Sequence, residues 1–545
     1  MAYDELLEHL GEFGRYQKRI YFLLCLPAIT CAFHRLVTIF LLSKAPHRCL
    51  MPFESLENAT FLFPPDRPIN LSLPWDSSSE TWSQCRRLDA NFTDEYFKSG
   101  VPSTETVQCK NWVFDYSKYS SSAVFEWDLV CDKSWMRSMA DTVFMLGILI
   151  GAILFGHLSD KYGRKPIFFF SLVLQVVGGV TAGFAPEYYT FIFARLCIGI
   201  STSGVYLVAY IIGMEMVSPS KRIYAGVIMN YFFTAGYILT AFAAYFIKDW
   251  RTLQITLSLP GLAFFLYWWY VPESARWLVA KGRNAEAKQI LKKAAIVNKI
   301  ELSDGLLQKF LTSSDDEPEK DGNNKNPAAK SASLLDIVKY PNLRKKSLII
   351  FFLWFVNNLS YYGLSWNVSN LGGNDYLNFL ISGLVEIPAY TFILFALNRY
   401  GRKMTLCGSM LAGSVALLSC IFVPNDMSWL LITFAMTGKM AITASYGVVY
   451  IFSAEQFPTV VRNAAMGISS TAARVGGIIA AFIHQLADTW KPLPLIVIGA
   501  LALSAGLLSL LLPETLNRKL PETIEDGENF GRRKARRRSS MSGEN

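Results

Sequence analysis

Apolar residues gather in runs of about twenty, the length a helix needs to cross about 30 Å of hydrocarbon, and polar residues fill the joints between the runs. The pattern predicts twelve spans: 20–42, 138–158, 167–184, 188–214, 223–247, 252–271, 347–366, 376–397, 404–423, 428–452, 461–486 and 492–512. Glycine and proline inside the runs are compatible with spans, because neighbouring helices re-satisfy the freed backbone groups. Two polar stretches interrupt the series. One occupies 43–137, after the first span. The other, 272–346, separates two sets of six. The organisation expected is an N-terminus at 1–19, a six-helix half at 20–271, a linker at 272–346, a second half at 347–512 and a tail at 513–545.

The joints repeat. Gly163-Arg164-Lys165 recurs as Gly401-Arg402-Lys403, Glu215 and Arg222 recur as Glu455 and Arg462, and Pro272-Glu273-Ser274 recurs as Pro513-Glu514-Thr515, all at nearly the same offset. Duplicated halves of spanning helices with charged signatures at matching joints are the mark of an alternating-access carrier. Composition agrees: 52% hydrophobic content over 545 residues and a mean hydropathy of +0.27 exclude an ordinary soluble enzyme. The net charge of +9 sits mostly beside the spans, where it sets topology instead of attracting nucleic acid. Arg15, Lys18 and Arg19 precede the first span. Lys161, Arg164 and Lys165 fill the 2–3 joint, Lys221 and Arg222 the 4–5 joint, and Arg399, Arg402 and Lys403 the 8–9 joint, whereas the 3–4, 7–8 and 9–10 joints have none. Both termini and the linker are therefore expected in the cytoplasm, and 43–137 outside. Met1 to Lys18 is polar and the first apolar run is too long for a signal core, so no cleavable signal is expected.

The external stretch carries sequons at Asn58, Asn70 and Asn91, expected glycosylation sites, and four cysteines, Cys49, Cys85, Cys109 and Cys131. Four cysteines in an oxidising compartment suggest two disulfides, in one of three pairings. Asn358 and Asn367 fall in or at the end of the seventh span and are discounted, and the other five cysteines lie in spans as packed thiols. The linker divides into amphipathic helices (PESARWLVAKGRNAEAKQILKKAAIVNK) and a flexible segment (TSSDDEPEKDGNNKNPAAKSAS). Near the end, Arg536, Arg537 and Arg538 precede Ser539 and Ser540, a pattern that suits a basic-directed kinase, an anionic leaflet or simple topology control. No metal-ligand spacing, cofactor loop, nucleophile elbow or Walker-type phosphate loop is present, which argues against an enzyme and against ATP as the driving force.

Ionisable residues deep in a span are costly and usually face a cavity. Glu386 in the eighth span and Arg474 in the eleventh stand out as substrate-binding candidates, with a structural ion pair between them as the alternative. Lys439 reads as structural, and Arg35 as snorkelling to the outer surface. Trp354, Tyr361, Tyr362, Tyr446 and Phe233 can supply aromatic faces for a cation, at roughly 0.5–2 kcal/mol each.

Gly156-x-x-x-Asp160-x-x-Gly163-Arg164-Lys165 resembles the signature loop of the major facilitator superfamily. In that reading Gly156 permits close helix approach and Asp160 accepts hydrogen bonds across the interface between halves, latching the cytoplasmic side. Its echo has Asn398 in place of Asp160. Within the superfamily the chain is similar to the organic-ion transporters of the solute carrier class, most of all the insect organic cation transporter type. Pro272-Glu273-Ser274-Ala275-Arg276-Trp277-Leu278, the run from Glu455 to Arg462, the Cys-bearing external loop and the opening and closing segments carry that likeness. The resemblance implies an all-α membrane protein of the major facilitator fold, with two pseudo-repeated six-helix halves around a central cavity. It also implies a plasma-membrane carrier of small organic cations. Gly156, Asp160, Gly163, Arg164, Lys165, Glu215, Arg222, Arg402, Glu455 and Arg462 are the expected gating residues. Arg474 departs from the pattern, since the cation branch has Asp there and the anion and carnitine-type branches have Arg. Anion or zwitterion transport, and a non-transporting sensor of organic ions, are the competing readings. A homo-oligomer bridged by the external loop is a further expectation.

Overall fold

Helices form wherever an apolar run must satisfy its backbone without water, and the joints break them with positive-φ glycines and caps. In the computed structural model, residues 2–531 are described except 56, 65–66, 77–80, 302–304, 306, 308–333 and 425. The basic run Arg536–Arg538, Ser539, Ser540 and the whole expected flexible segment lie outside these residues.

Twelve helical spans run in order. In the first half they are α1 (Arg15–Leu36), α2 (Trp135–Tyr162), α3 (Arg164–Gly183), α4 (Tyr188–Glu215), α5 (Arg222–Phe246) and α6 (Trp250–Ser258). In the second they are α7 (Pro341–Trp366), α8 (Asp375–Arg399), α9 (Arg402–Ser419), α10 (Ser428–Gln456), α11 (Thr459–Ile483) and α12 (Leu493–Ser509). Two spans depart from continuous helix. Pro260 interrupts α6, which continues as Pro260–Ala263 and the 3-10 turn Phe264–Trp269. The α8 ladder breaks at Val385, immediately before Glu386.

One apolar cluster around Phe168, Leu172 and Val208 belongs to the first half, one around Leu353, Val448 and Phe452 lies mostly in the second, and a third runs through both. The halves meet along two matched helix pairs, α2 with α11 and α5 with α8. Small residues allow close packing within the first half. A Cβ on Gly147 or Gly151 would run into the α4 backbone at Leu196 and Ile200, so α2 and α4 approach as a small-xxx-small pair. Gly156, expected to serve that purpose, faces open space within 4 Å. It lies five residues beyond Gly151, about 140° round the helix, and so turns away from α4.

The segment 43–137 contains short strands, which periodicity over two or three residues cannot reveal. β1 (His47–Cys49) pairs with β6 (Trp112–Phe114), β2 (Trp75–Asp76) with β3 (Thr81–Trp82), and β4 (Arg86–Leu88) with β5 (Thr106–Gln108), all antiparallel. Of the three open pairings, the structure has Cys49–Cys109 and Cys85–Cys131. Asn58, Asn70 and Asn91 are all exposed.

Polar contacts between the halves cluster from mid-bundle toward the end that carries segment 43–137. Lys44 pairs with Asp488, Tyr119 donates to Asp375 at 2.5 Å, and Lys118 pairs with Asp375 at 2.8 Å. Deeper, α5 and α8 are joined by three rungs: Tyr237–Ser382 at 2.9 Å, Thr234–Glu386 at 2.9 Å and Tyr231–Thr391 at 2.8 Å.

Candidate functional site

The deepest charges pair differently from the expectation. Glu386 is fully buried, and its partner is Lys439 of α10, with Nζ 3.4 Å from Oε1. Tyr361 donates to the same carboxylate at 2.7 Å, and Thr234 reaches it from the other half at 2.9 Å. Lys439 also donates to Ser365 and, at 3.3 Å, to the Tyr361 carbonyl. Its ammonium lies 3.5 Å from the Tyr361 ring centroid. Every strong partner the carboxylate needs is thus supplied by the protein, as a buried charge requires. Glu386 is the only acidic member of this cluster, and its charge is already offset.

Arg474 makes no ion pair among the described residues. It donates to Ser470, including the carbonyl at 2.8 Å, and its Nε has no acceptor. Arg35 does not snorkel outward. Its guanidinium donates to the Tyr362 hydroxyl at 3.0 Å and lies 5.5 Å from the Tyr206 ring and 5.6 Å from Phe233. Arg35 Nε is also buried without a partner. Tyr362 faces Tyr361 edge-on at 5.1 Å, and Tyr361 stacks on Tyr446 at 5.6 Å. Arg35, Arg474, Tyr206 and Tyr446 keep part of their surface accessible although they lie deep in the protein. They form a wall of guanidinium and aromatic faces between the halves. Trp354 stands behind this wall: it is 1% exposed, donates to Ser453 at 2.8 Å and packs on Tyr450, which in turn packs on Tyr446.

The charged joints that repeat between the halves are paired within their own halves. Asp160 binds Arg164 one turn away, and Arg164 lies 3.5 Å from Glu215. The expected reach of Asp160 across the interface is not what the structure shows, because Arg164 satisfies it locally. In the second half Arg402 pairs with Glu455 at 3.2 Å, repeating the Arg164–Glu215 contact, while Asn398 leaves no counterpart to Asp160. Arg462 donates to the Phe457 carbonyl at 3.2 Å, and Arg222 opens α5.

The repeated Pro-Glu motif has a specific task that pattern reading missed. Gly163 (φ 111°) and Gly401 (φ 86°) turn the chain into α3 and α9, where the first backbone N–H groups lack helical partners. Glu273 accepts from the N–H groups of Arg164, Lys165 and Ser274. Glu514 accepts from those of Arg402, Lys403, Thr515 and Leu516. The two sites differ electrically. Burial pushes the Glu273 carboxyl up and outweighs its hydrogen bonds. Burial also raises Glu514, but four backbone N–H groups hold it below the usual carboxylate range.

With this geometry in place, comparison with known proteins is informative. Residues 94–526 match the sugar (and other) transporter family. The chain is 53% identical to the Organic cation transporter protein of Drosophila melanogaster, covering 100% of this chain and 97% of the relative. It is 35% identical to the Beta-alanine transporter of the same organism, covering 97% and 89%. Among solved structures, it resembles the partially occluded inward-open conformation of the xylose transporter XylE from E. coli. The TM-score is 0.60 at 14% identity, with 93% of this chain and 100% of that chain covered. That likeness carries the fold alone. The chain therefore belongs to the sugar (and other) transporter family, with the major facilitator fold, in the group that includes the Drosophila organic cation transporter protein.

Proposed function

We propose that this protein carries small organic cations across the plasma membrane by alternating access, with both termini in the cytoplasm. The full-length 53% identity to an organic cation transporter supports the substrate class. The aromatic wall of Tyr206, Phe233, Tyr362 and Tyr446 supplies faces that attract a desolvated cation. Tyr361 and Glu386 form the layer beneath it. Transport proceeds by rocking along α2–α11 and α5–α8, with the paired cytoplasmic joints keeping each half rigid. Asn58, Asn70 and Asn91 carry glycans outside the cell.

A zwitterion is the second reading, and one observation favours it: Arg35 and Arg474 stand in the wall between the halves with no carboxylate partner among the described residues, while Glu386 is matched by Lys439. Arg is permanently charged, so a substrate carboxylate would find two donors and its amine the tyrosine faces. The similarity to a beta-alanine transporter is in keeping with this. The test is initial uptake of tetraethylammonium, an aromatic carboxylate and carnitine by cells expressing the chain or Arg474→Ala. Cation uptake that survives the substitution supports the first reading. Preference for carnitine or the carboxylate, abolished by the substitution, refutes it.

A further inference from the structure

A second polar site lies at the outer seam, away from the central wall. Here a cavity of about 40 Å³ is lined from both halves. Ser43 and Arg137 come from the first half, Trp366 and His484 from the second. That volume exceeds the ~10–15 Å³ needed by one ordered water and is far below the ~300 Å³ of a typical organic-ligand pocket. Buried Trp366 Nε1, Arg137 Nε, Ser43 Oγ and His484 Nδ1 have no hydrogen-bond partner among the described residues. Trp366 is 3% exposed, Ser43 4% and Arg137 6%. An indole N–H and a guanidinium Nε–H can only donate, so two of these four groups demand an acceptor and the others can supply a proton to one.

The charge balance has the same sign. Lys44, Arg137 and Arg195 gather around the seam against Asp141 and Asp488. Asp488 is taken by Lys44, with Arg137 4.0 Å away. Asp141 turns to Arg195 at 3.5 Å. Three cations against two carboxylates leave an excess positive charge beside the unfilled donors, which outnumber the one lining acceptor without a hydrogen bond, Asp141 Oδ1. Water can answer the donors but not the charge, and a cation is repelled by both.

We propose that this cavity binds one small inorganic anion, of chloride size, which bridges Arg137 and Ser43 of one half to Trp366 and His484 of the other and so helps hold the outer side closed. The test uses the purified full chain without any substrate. Its thermal unfolding midpoint is measured in chloride, bromide and gluconate at constant ionic strength, for the parent, Trp366→Phe, Arg137→Lys, Ser43→Ala and Arg474→Ala. The expected result is a saturable upward shift in chloride and bromide, absent in gluconate, lost in Trp366→Phe and Arg137→Lys, weakened in Ser43→Ala and retained in Arg474→Ala. No halide-specific shift in the parent, or a shift that survives Trp366→Phe and Arg137→Lys, overturns the proposal. A shift lost in Arg474→Ala also overturns it, since the anion would then sit in the central cavity. If one variant fails to fold, the other two seam variants decide.

Discussion

Replacing Lys439 by Met isolates the buried pair at the heart of the protein. Both side chains are essentially inaccessible, and the charges lie 3.4 Å apart. With an effective dielectric of about 20, that separation corresponds to an attraction of roughly 5 kcal/mol. Met keeps the volume but removes the ammonium, together with its contact over the Tyr361 ring, worth up to about 2 kcal/mol. Glu386 would keep two hydroxyl donors, Tyr361 and Thr234, each able to hold a charged acceptor by about 1.5–3 kcal/mol. Those bonds exist in the parent too and offset nothing, but the substitution also removes the cost of burying the ammonium, several kcal/mol, so the net loss expected is about 3 kcal/mol, at the low end of the range for breaking a buried pair. Adding Glu386→Gln removes the stranded charge, so the double variant should lie within about 1 kcal/mol of the parent. Reversible detergent-driven unfolding in mixed micelles gives the four corners of the cycle, and uptake by vesicles reports function in parallel. If Lys439→Met is as stable as the parent, or if the double variant loses the sum of the singles, the two residues are not the coupled pair described above.

Arg35→Ala should weaken carboxylate-bearing substrates more than tetraethylammonium, read as a ratio of KM values; equal loss for all probes would make Arg35 a packing residue. The two Pro-Glu caps should respond oppositely to pH. The depressed Glu514 contributes stability above its unfolded value and loses it as pH falls through the folded one. Raised Glu273 contributes below its unfolded value and loses that contribution as pH rises. Hence Glu514→Gln should cost more at neutral pH than Glu273→Gln and should flatten the acid limb of the stability profile. Gly151→Leu should abolish folded protein in fluorescence-detected chromatography, since its Cβ would meet the Ile200 backbone, whereas Gly156→Leu should be tolerated. Removing either disulfide opens a loop of 60 or 46 residues. By loop entropy this costs about 4 kcal/mol, measurable as loss of folded protein in fluorescence-detected chromatography.

The twelve spans and their duplication were legible because burial in lipid forces long apolar runs and charged joints into the sequence. The cysteine pairing was not, since three pairings satisfy the same four residues. Nor were the partners of Glu386: Arg35, Lys439 and Arg474 all lie in spans, and choosing among them needs the rotation of three helices. Arg35 looked peripheral because its place in α1 is near the outer end, yet its long stem turns inward to Tyr362. Gly147 and Gly151, four residues apart, share a helix face and Gly156 does not, but that this face is the one packed on α4 needed the structure. The Pro-Glu repeats were visible as a motif, but their capping role depends on α6 and α12 ending beside the starts of α3 and α9.

Those caps have a mechanical consequence. Glu273 secures α3 and Glu514 secures α9, each with groups drawn from its own half, and Arg164–Glu215 and Arg402–Glu455 obey the same division. Alignment of the halves rests on the α2–α11 and α5–α8 seams, so covalent continuity between them supplies mainly effective concentration. Two fragments divided between 308 and 333, synthesised in one cell, retain all of these seam contacts and should reassemble in the bilayer as a working carrier.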